Sequence, residues 1–124
     1  MSTRLFILVI DDEYDLAELI AELLGERGHH VTVAINGVSG MSLLMNGHFD
    51  LVISDFMMPV MDGVELVKRM RQDARLESIP VIMMSAHADA AATQLDGLLQ
   101  GLLQKPFMPR RLFAEIDRVL VTLD

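Results

Sequence analysis

The sequence predicts an α/β domain, a doubly wound (βα)5 sandwich around a five-stranded parallel sheet of order 2-1-3-4-5. Three observations predict it. Short apolar segments alternate five times with segments whose apolar residues recur at three- and four-residue spacing. Strict strand–helix alternation builds a parallel sheet covered on both faces, and right-handed crossovers leave few topologies. The first, third and fourth strands read as fully buried and the second and fifth as edges, a ranking that fits the order 2-1-3-4-5. At 124 residues the chain suits a single domain, 1–124. With 52% hydrophobic and 23% charged residues it is no disordered tail.

Leu5 to Ile10 is continuously apolar, as a strand buried on both faces must be. From Tyr14 the period changes. Leu16, Leu19, Ile20, Leu23 and Leu24 make a helical stripe opposite Glu18, Glu22 and Glu26, and Gly28 is suited to end the helix. Val31 to Ala34 alternates weakly, like an edge strand. Asn36-Gly37 breaks the chain before a short helix with Met41, Leu44 and Met45. Leu51 to Ser54 is the third strand, and it runs into a proline-containing loop, Asp55-Phe56-Met57-Met58-Pro59. Asp62 with Glu65 resembles a capping box for a helix carrying Val64, Val67 and Met70, with Lys68, Arg69 and Arg71 on its polar face. Pro80 to Met84 is the fourth strand. Ala88 to Leu99 is helical in composition despite Gly97, and Leu102-Leu103 is a short fifth strand. Leu112, Phe113, Ile116, Val119, Leu120 and Leu123 mark a terminal amphipathic helix. The echo Gly97-Leu-Leu-Gln, Gly101-Leu-Leu-Gln is too short to be an architectural repeat.

Composition removes several function classes. Without cysteine there is no disulfide framework, thiolate zinc site or thiol nucleophile. No apolar run approaches the ~20 residues of a membrane span, and no signal peptide is expected from Met1-Ser2-Thr3-Arg4, which leads straight into an apolar run with no small-residue cleavage site after it. Ten basic against eighteen acidic residues give a net charge of −8, which disfavours direct nucleic-acid binding. The expected setting is the cytoplasm, with no membrane partner. No glycine-rich phosphate loop and no nucleophile elbow is present. His29, His30 and His48 show no ligand spacing and read as surface residues, and the ten methionines as core and loop filler.

In a sheet of this order, ligands bind beyond the carboxyl ends of the strands, at the switch point between strands one and three. Asp11 and Asp12 follow the first strand and Asp55 the third. Three carboxylates in one crevice disfavour each other's charge unless a cation shares it. A hard divalent ion such as Mg²⁺ is the natural neutraliser. Ser85 ends the fourth strand and Lys105 the fifth. Only two lysines occur, and Lys105 alone falls on this edge. An acid trio, a hydroxyl and an ammonium make a site for a phosphoryl group, with one carboxylate able to act as nucleophile.

These residues resemble a known family. Asp11-Asp12, then Asp55-Phe-Met-Met-Pro59-Val-Met-Asp-Gly63, then Ser85-Ala86, then Lys105-Pro106-Phe107 resemble, in order, the motifs of the response-regulator receiver domain. The resemblance covers Leu5 to Leu123 and implies the flavodoxin-like fold of chemotaxis-type regulators in two-component phosphorelays. It implies that Asp55 is the phosphoacceptor, served by a sensor histidine kinase or histidine phosphotransfer protein. Asp12 directly, Asp11 partly through water, Asp55, and the backbone carbonyl of Met57 would hold Mg²⁺. Lys105 would pair with the phosphoryl oxygens and Ser85 would swing to bond them. Lys105–Pro106 would be cis. Such a chain is a signalling domain that promotes its own aspartyl phosphorylation and dephosphorylation, not a conventional enzyme. Its output face, and a frequent homodimer face, is made by the fourth helix, fifth strand and fifth helix.

Departures are specific. The family's switch aromatic falls three residues before the lysine, where this chain has Leu102. Ser85 stands where threonine is more usual, and Met57 and His87 occupy the variable positions that influence phosphoryl lifetime. The stretch from Ser85 to Lys105 is slightly short. Taken singly, several residues have plainer uses: Asp12 and Ser85 suit helix capping, Asp55 an ordinary turn, Lys105 a solvated surface. Joint placement at four strand ends favours the site. Two rivals remain: a phosphorylation-independent interaction module, motivated by Leu102, and a small aspartyl-phosphate phosphohydrolase. The usual Asp-x-Asp of the latter is not matched by Asp11-Asp12-Glu13.

Overall fold

The computed structural model describes residues 4–123, and the side chains of residues 4–121. Met1-Ser2-Thr3 and the side chain of Leu123 lie outside the described residues. The elements are β1 (Phe6–Ile10), α1 (Tyr14–Glu26), β2 (His30–Ala34), α2 (Gly37–Asn46), β3 (Leu51–Asp55), α3 (Gly63–Arg71), β4 (Val81–Ser85), α4 (Ala88–Gln94), β5 (Gly101–Gln104) and α5 (Pro109–Leu123). All five strands are parallel in the order β2-β1-β3-β4-β5, so the anticipated doubly wound topology is the one observed.

Every residue of β3 and β4 is buried, as strands covered on both faces require, whereas edge strand β2 is mostly half-exposed. The core divides into two layers. Leu8, Ile10, Val52, Val81 and Met83 face α2, α3 and α4, and Ile7, Val9, Ile53, Ile82 and Met84 face α1 and α5. Among the described residues no helix is long and apolar enough to cross a membrane.

Several local details differ from the sequence reading. On α1 the buried line is Ala17, Ile20 and Leu24, with Leu19 about half exposed. The stripe is rotated toward the smaller alanine because α1 packs closely on the sheet. Helix α4 stops at Gln94, and residues 95–98 form a turn around Gly97, whose φ is +80°. A left-handed residue interrupts the helix that composition alone extends to Leu99. Asp62 caps α3 by accepting from the Glu65 N–H at 2.9 Å, but the Glu65 carboxylate pairs with Arg69 at 2.7 Å and does not return to close the box.

Arg71 is not on the solvated face with Lys68 and Arg69. Its half-buried guanidinium donates to the carbonyls of Glu77, Ile79 and Leu98 and to Gln100 Oε1, at 2.7–3.1 Å. It thereby ties the end of α3 to the segment entering β5. His29 is likewise half-buried, with Nδ1 accepting from the Leu5 N–H at 3.1 Å, while His30 and His48 are exposed as expected.

Candidate functional site

Parallel pairing puts the carboxyl ends of all five strands along one edge. Asp11 continues β1, donating its N–H to Ala34 at the end of β2 at 3.1 Å. Asp55 closes β3 opposite Met84 of β4. Lys105 follows β5 and donates its N–H to the Ser85 carbonyl at 2.7 Å. The topology brings Asp11, Asp12, Asp55, Ser85 and Lys105 together at the switch point, where β1 lies beside β3.

The loop after Asp55 is shaped by contacts that explain its residue types. Met61 donates its N–H to the Pro59 carbonyl at 2.9 Å across Val60, whose φ is +69°. This is a γ-turn centred on an exposed β-branched residue, an unfavourable conformation for valine. The chain then returns so closely that a Cβ on Gly63 would lie 2.6 Å from the Asp55 carbonyl oxygen and 2.8 Å from Met83 Sδ. Glycine at 63 therefore fixes how α3 seats against the strand that ends in Asp55.

Lys105 Nζ lies 2.9 Å from Asp11 Oδ2, 3.1 Å from Asp55 Oδ1 and 3.8 Å from Glu13 Oε1. Asp11 is fully buried, and its Oδ1 accepts from the Glu13 N–H at 2.9 Å. The start of α1 is thus served by Asp11, and neither Asp12 nor the N-cap residue Glu13 takes the capping role open to Asp12. Asp55 Oδ1 also accepts from the Phe56 N–H at 3.0 Å. Asp12 is exposed at the rim. Ser85 Oγ is buried and accepts from the His87 N–H at 2.8 Å, a bond within its own loop. Asp12, Asp55, Met57, Ser85, His87 and Lys105 line one small cavity of about 250 Å³. Leu102 is not among its lining. It pairs in register with Met83 and packs half-buried in the α2–α3–α4 layer.

The electrostatics follow from burial. Desolvation, reinforced by the charges of Asp11 and Asp12 and only partly opposed by Lys105, pushes the Asp55 carboxyl up to about 6. Desolvation also raises Asp11, against its hydrogen bonds from Glu13 and Lys105. Burial works against the Lys105 ammonium, but its bond to Asp11 and the charges of Asp11 and Asp55 outweigh this and raise it. Oxygens of Asp11, Asp12 and Asp55 lie within 4.8 Å of one another. Even leaving Glu13 aside, the carboxyls of Asp11, Asp12 and Asp55 when ionised outnumber the one ammonium by two charges, and an all-oxygen donor set of that charge fits a hard divalent cation such as Mg²⁺.

Comparison with known proteins assigns the chain. Residues 7–117 match the family model of the response regulator receiver domain. The chain belongs to that family. It is 32% identical over 116 residues to the chemotaxis protein CheY of Pseudomonas aeruginosa, covering 91% of this chain and 94% of that protein. It is 32% identical over 117 residues to a probable transcriptional regulator, ycf29, of Porphyra purpurea, covering 92% of this chain and 56% of that protein. The chain spans about half the length of the first curated relatives it matches. Among solved structures, the chemotaxis response regulator CheY4 of Vibrio cholerae superposes with a TM-score of 0.88 at 28% identity, over 94% of this chain and 99% of that one. The chain is accordingly a receiver domain of two-component signalling, CheY-like in fold. It is a signalling domain and not a conventional enzyme, and receiver domains bind Mg²⁺ through acidic residues. The Lys105–Pro106 peptide of this receiver domain is cis.

Three residues that pattern reading passed over support this receiver site. Glu13 faces Lys105 at the pocket rim. Gln104 donates to the Ala86 and Lys105 carbonyls and accepts from the Ala88 N–H. Glu115 is buried, accepts from the Leu102 N–H at 2.7 Å and pairs with Arg118 at 2.9 Å, covering the edge of β5. Glu115 carried a readable signal, since it falls three residues after Leu112 on the apolar face of α5. Gln104 carried none.

Proposed function

We propose that this receiver domain is a phosphorylation-driven switch in which Asp55 accepts a phosphoryl group from a phosphohistidine on a sensor kinase or phosphotransfer protein. The observation that carries the reading is the shared contact of Lys105 with Asp11 and Asp55 beside a third carboxylate, Asp12. A carboxylate oxygen of Asp55 forms the new P–O bond as the donor's P–N bond breaks. The imidazole keeps that electron pair and leaves neutral, its other ring nitrogen carrying the proton. Asp11, Asp12, Asp55 and the Met57 carbonyl would hold Mg²⁺, which when bound would supply positive charge for the phosphoryl oxygens. Lys105 pairs with a further phosphoryl oxygen, and Ser85 Oγ–H donates to another once it turns from its own loop. Met57 and His87 flank the opening, where they bear on access of the water that hydrolyses the acyl phosphate.

The phosphoryl group carries about −1.5 to −2 charges in place of the single charge of the Asp55 carboxylate, so the end of β3 gains about one negative charge at most, together with three strong acceptor oxygens. The α4–β5–α5 face responds as the output surface and is the face for any homodimer. No direct nucleic-acid or membrane contact is proposed. The test is intact mass after incubation with Mg²⁺ and a small acyl-phosphate donor. One phosphate adduct is expected, absent in Asp55→Asn. In Lys105→Ala, Mg²⁺ affinity should survive while transfer drops. A chain that takes neither the adduct nor beryllofluoride is a phosphorylation-independent interaction module. Rapid multi-turnover release of phosphate from unrelated monoesters would mark a phosphohydrolase.

A further inference from the structure

The Gly-Leu-Leu-Gln echo places two glutamines at opposite ends of β5, and their amides do different things. At the entry, Gln100 Oε1 accepts from Arg71 at 2.7 Å and from the Val81 N–H at 2.9 Å. At the exit, Gln104 Nε2 donates to the Ala86 carbonyl at 2.7 Å and the Lys105 carbonyl at 3.1 Å, while Oε1 accepts from the Ala88 N–H at 3.2 Å. Only one amide orientation serves these partners, because a backbone N–H must meet the oxygen and carbonyls must meet the nitrogen. Both ends of that amide are engaged.

The Gln104 partners bracket His87. Ala86 and Ala88 are the flanks of the loop whose first residue, Ser85, gives its Oγ to the His87 N–H. A displacement of Ser85 to His87 away from Gln104 strains the bonds on both sides at once. Position 102, two residues earlier on the same strand, is leucine, whose side chain offers the loop no hydrogen bond, and the Leu102 N–H is engaged by Glu115. Gln104 also binds the carbonyl of Lys105, the residue that contacts Asp11 and Asp55.

We infer that Gln104 is a positioning residue, a latch that holds the Ser85 loop in its resting place and links its release to Lys105. The inference rests on the phosphorylation reading proposed above. Breaking the latch then favours the phosphoryl-bound arrangement. In Gln104→Met, which keeps the side chain's length and removes its hydrogen bonds, beryllofluoride with Mg²⁺ should bind about fivefold more tightly, the scale of one net hydrogen bond. Exchange of the Ala88 amide without beryllofluoride should accelerate by about the same factor. Gln100→Met is the control for a merely structural role: it should lower the melting temperature without changing beryllofluoride affinity. Unchanged or weaker beryllofluoride binding in Gln104→Met overturns the inference, as does unchanged Ala88 exchange. If the wild-type chain takes no beryllofluoride, it is the phosphorylation reading that fails, and Ala88 exchange still decides whether Gln104 holds the loop.

Discussion

Replacing Asp55 with asparagine should make this protein more stable, by an amount that the pocket itself sets. Burial and the neighbouring Asp11 and Asp12 raise the Asp55 carboxyl from 3.8 to about 6, with the opposing attraction of Lys105 already included. The folded carboxyl therefore holds its proton roughly a hundredfold more tightly than the unfolded one, and each factor of ten is worth about 1.4 kcal/mol. Ionised Asp55 thus destabilises the fold by about 3 kcal/mol at neutral pH. The sign follows from the same tighter hold on the proton. The penalty is absent below about pH 4 and grows until the pH passes about 6. Asparagine Oδ1 can still accept from Phe56 N–H and Lys105, which both use Oδ1 of the aspartate, so little else is lost. Urea or thermal unfolding in EDTA should show Asp55→Asn ahead by about 2–3 kcal/mol at pH 7, roughly 10 °C in melting temperature. The gap should close near pH 4, and excess Mg²⁺ should narrow it at pH 7 by stabilising the wild type. A gap that is absent at pH 7, reversed, or the same at both pH values would refute the account of an overcharged pocket.

Two further perturbations probe the frame around the site. Arg71→Met leaves the Ile79 and Leu98 carbonyls without their donors and should cost about 2–3 kcal/mol in urea unfolding, with Mg²⁺ affinity unchanged. A cost under about 0.5 kcal/mol would return Arg71 to the solvated helix face. Val60→Gly relieves a positive φ at a side chain that is 91% exposed and buries nothing. Relief of about 1–3 kcal/mol against about 0.5–1 kcal/mol of added unfolded-state freedom predicts a net gain near 1 kcal/mol, and a loss on thermal unfolding would contradict the strain assigned to the turn.

Much of the fold was legible because periodicity and topology are nearly sufficient for it. Continuous apolar strands at β1, β3 and β4 against weaker segments at β2 and β5 define which strands are central. Once the order is known, the strand ends and the residues following them share an edge, and the meeting of Asp11, Asp12, Asp55, Ser85 and Lys105 follows. What pattern could not decide is instructive. The tetrapeptide Gly-Leu-Leu-Gln occurs twice in succession, first as a turn with Gly97 at positive φ and then as strand β5. Identical local propensity yields two structures because the second copy lies in register along β4, whose Ile82 is beside Gly101, whereas of the first copy Gln100 alone bonds to β4, at Val81. The same limit explains Arg71 and Gln104. Their roles depend on carbonyls and amides of other segments, which helical spacing and composition do not encode.

The site and its frame divide the stability of the molecule between two ends of the sheet. At the carboxyl end, buried acids outnumber their one ammonium, and this end is held short of its best stability unless a cation enters. Near the opposite end of β5, Arg71 and Gln100 fasten the entry to β5, and the Glu115–Arg118 pair closes its open edge, where Arg118 also donates to the Gln100 carbonyl at 2.8 Å. Between these ends, β5 and α4 are the shortest strand and the shortest helix among the described elements, and the residues just before α4 and just after β5, His87 and Lys105, line the cavity beside Asp55. Under the phosphorylation proposed above, charge at Asp55 would act beside a strand whose entry carries the Arg71 and Gln100 bonds and whose exit carries its pairing with β4, the Gln104 amide and the Lys105 N–H bond to Ser85. The bonds that a displacement of the Ser85 loop would have to break therefore lie at the carboxyl end of β5, where Lys105 and that loop meet.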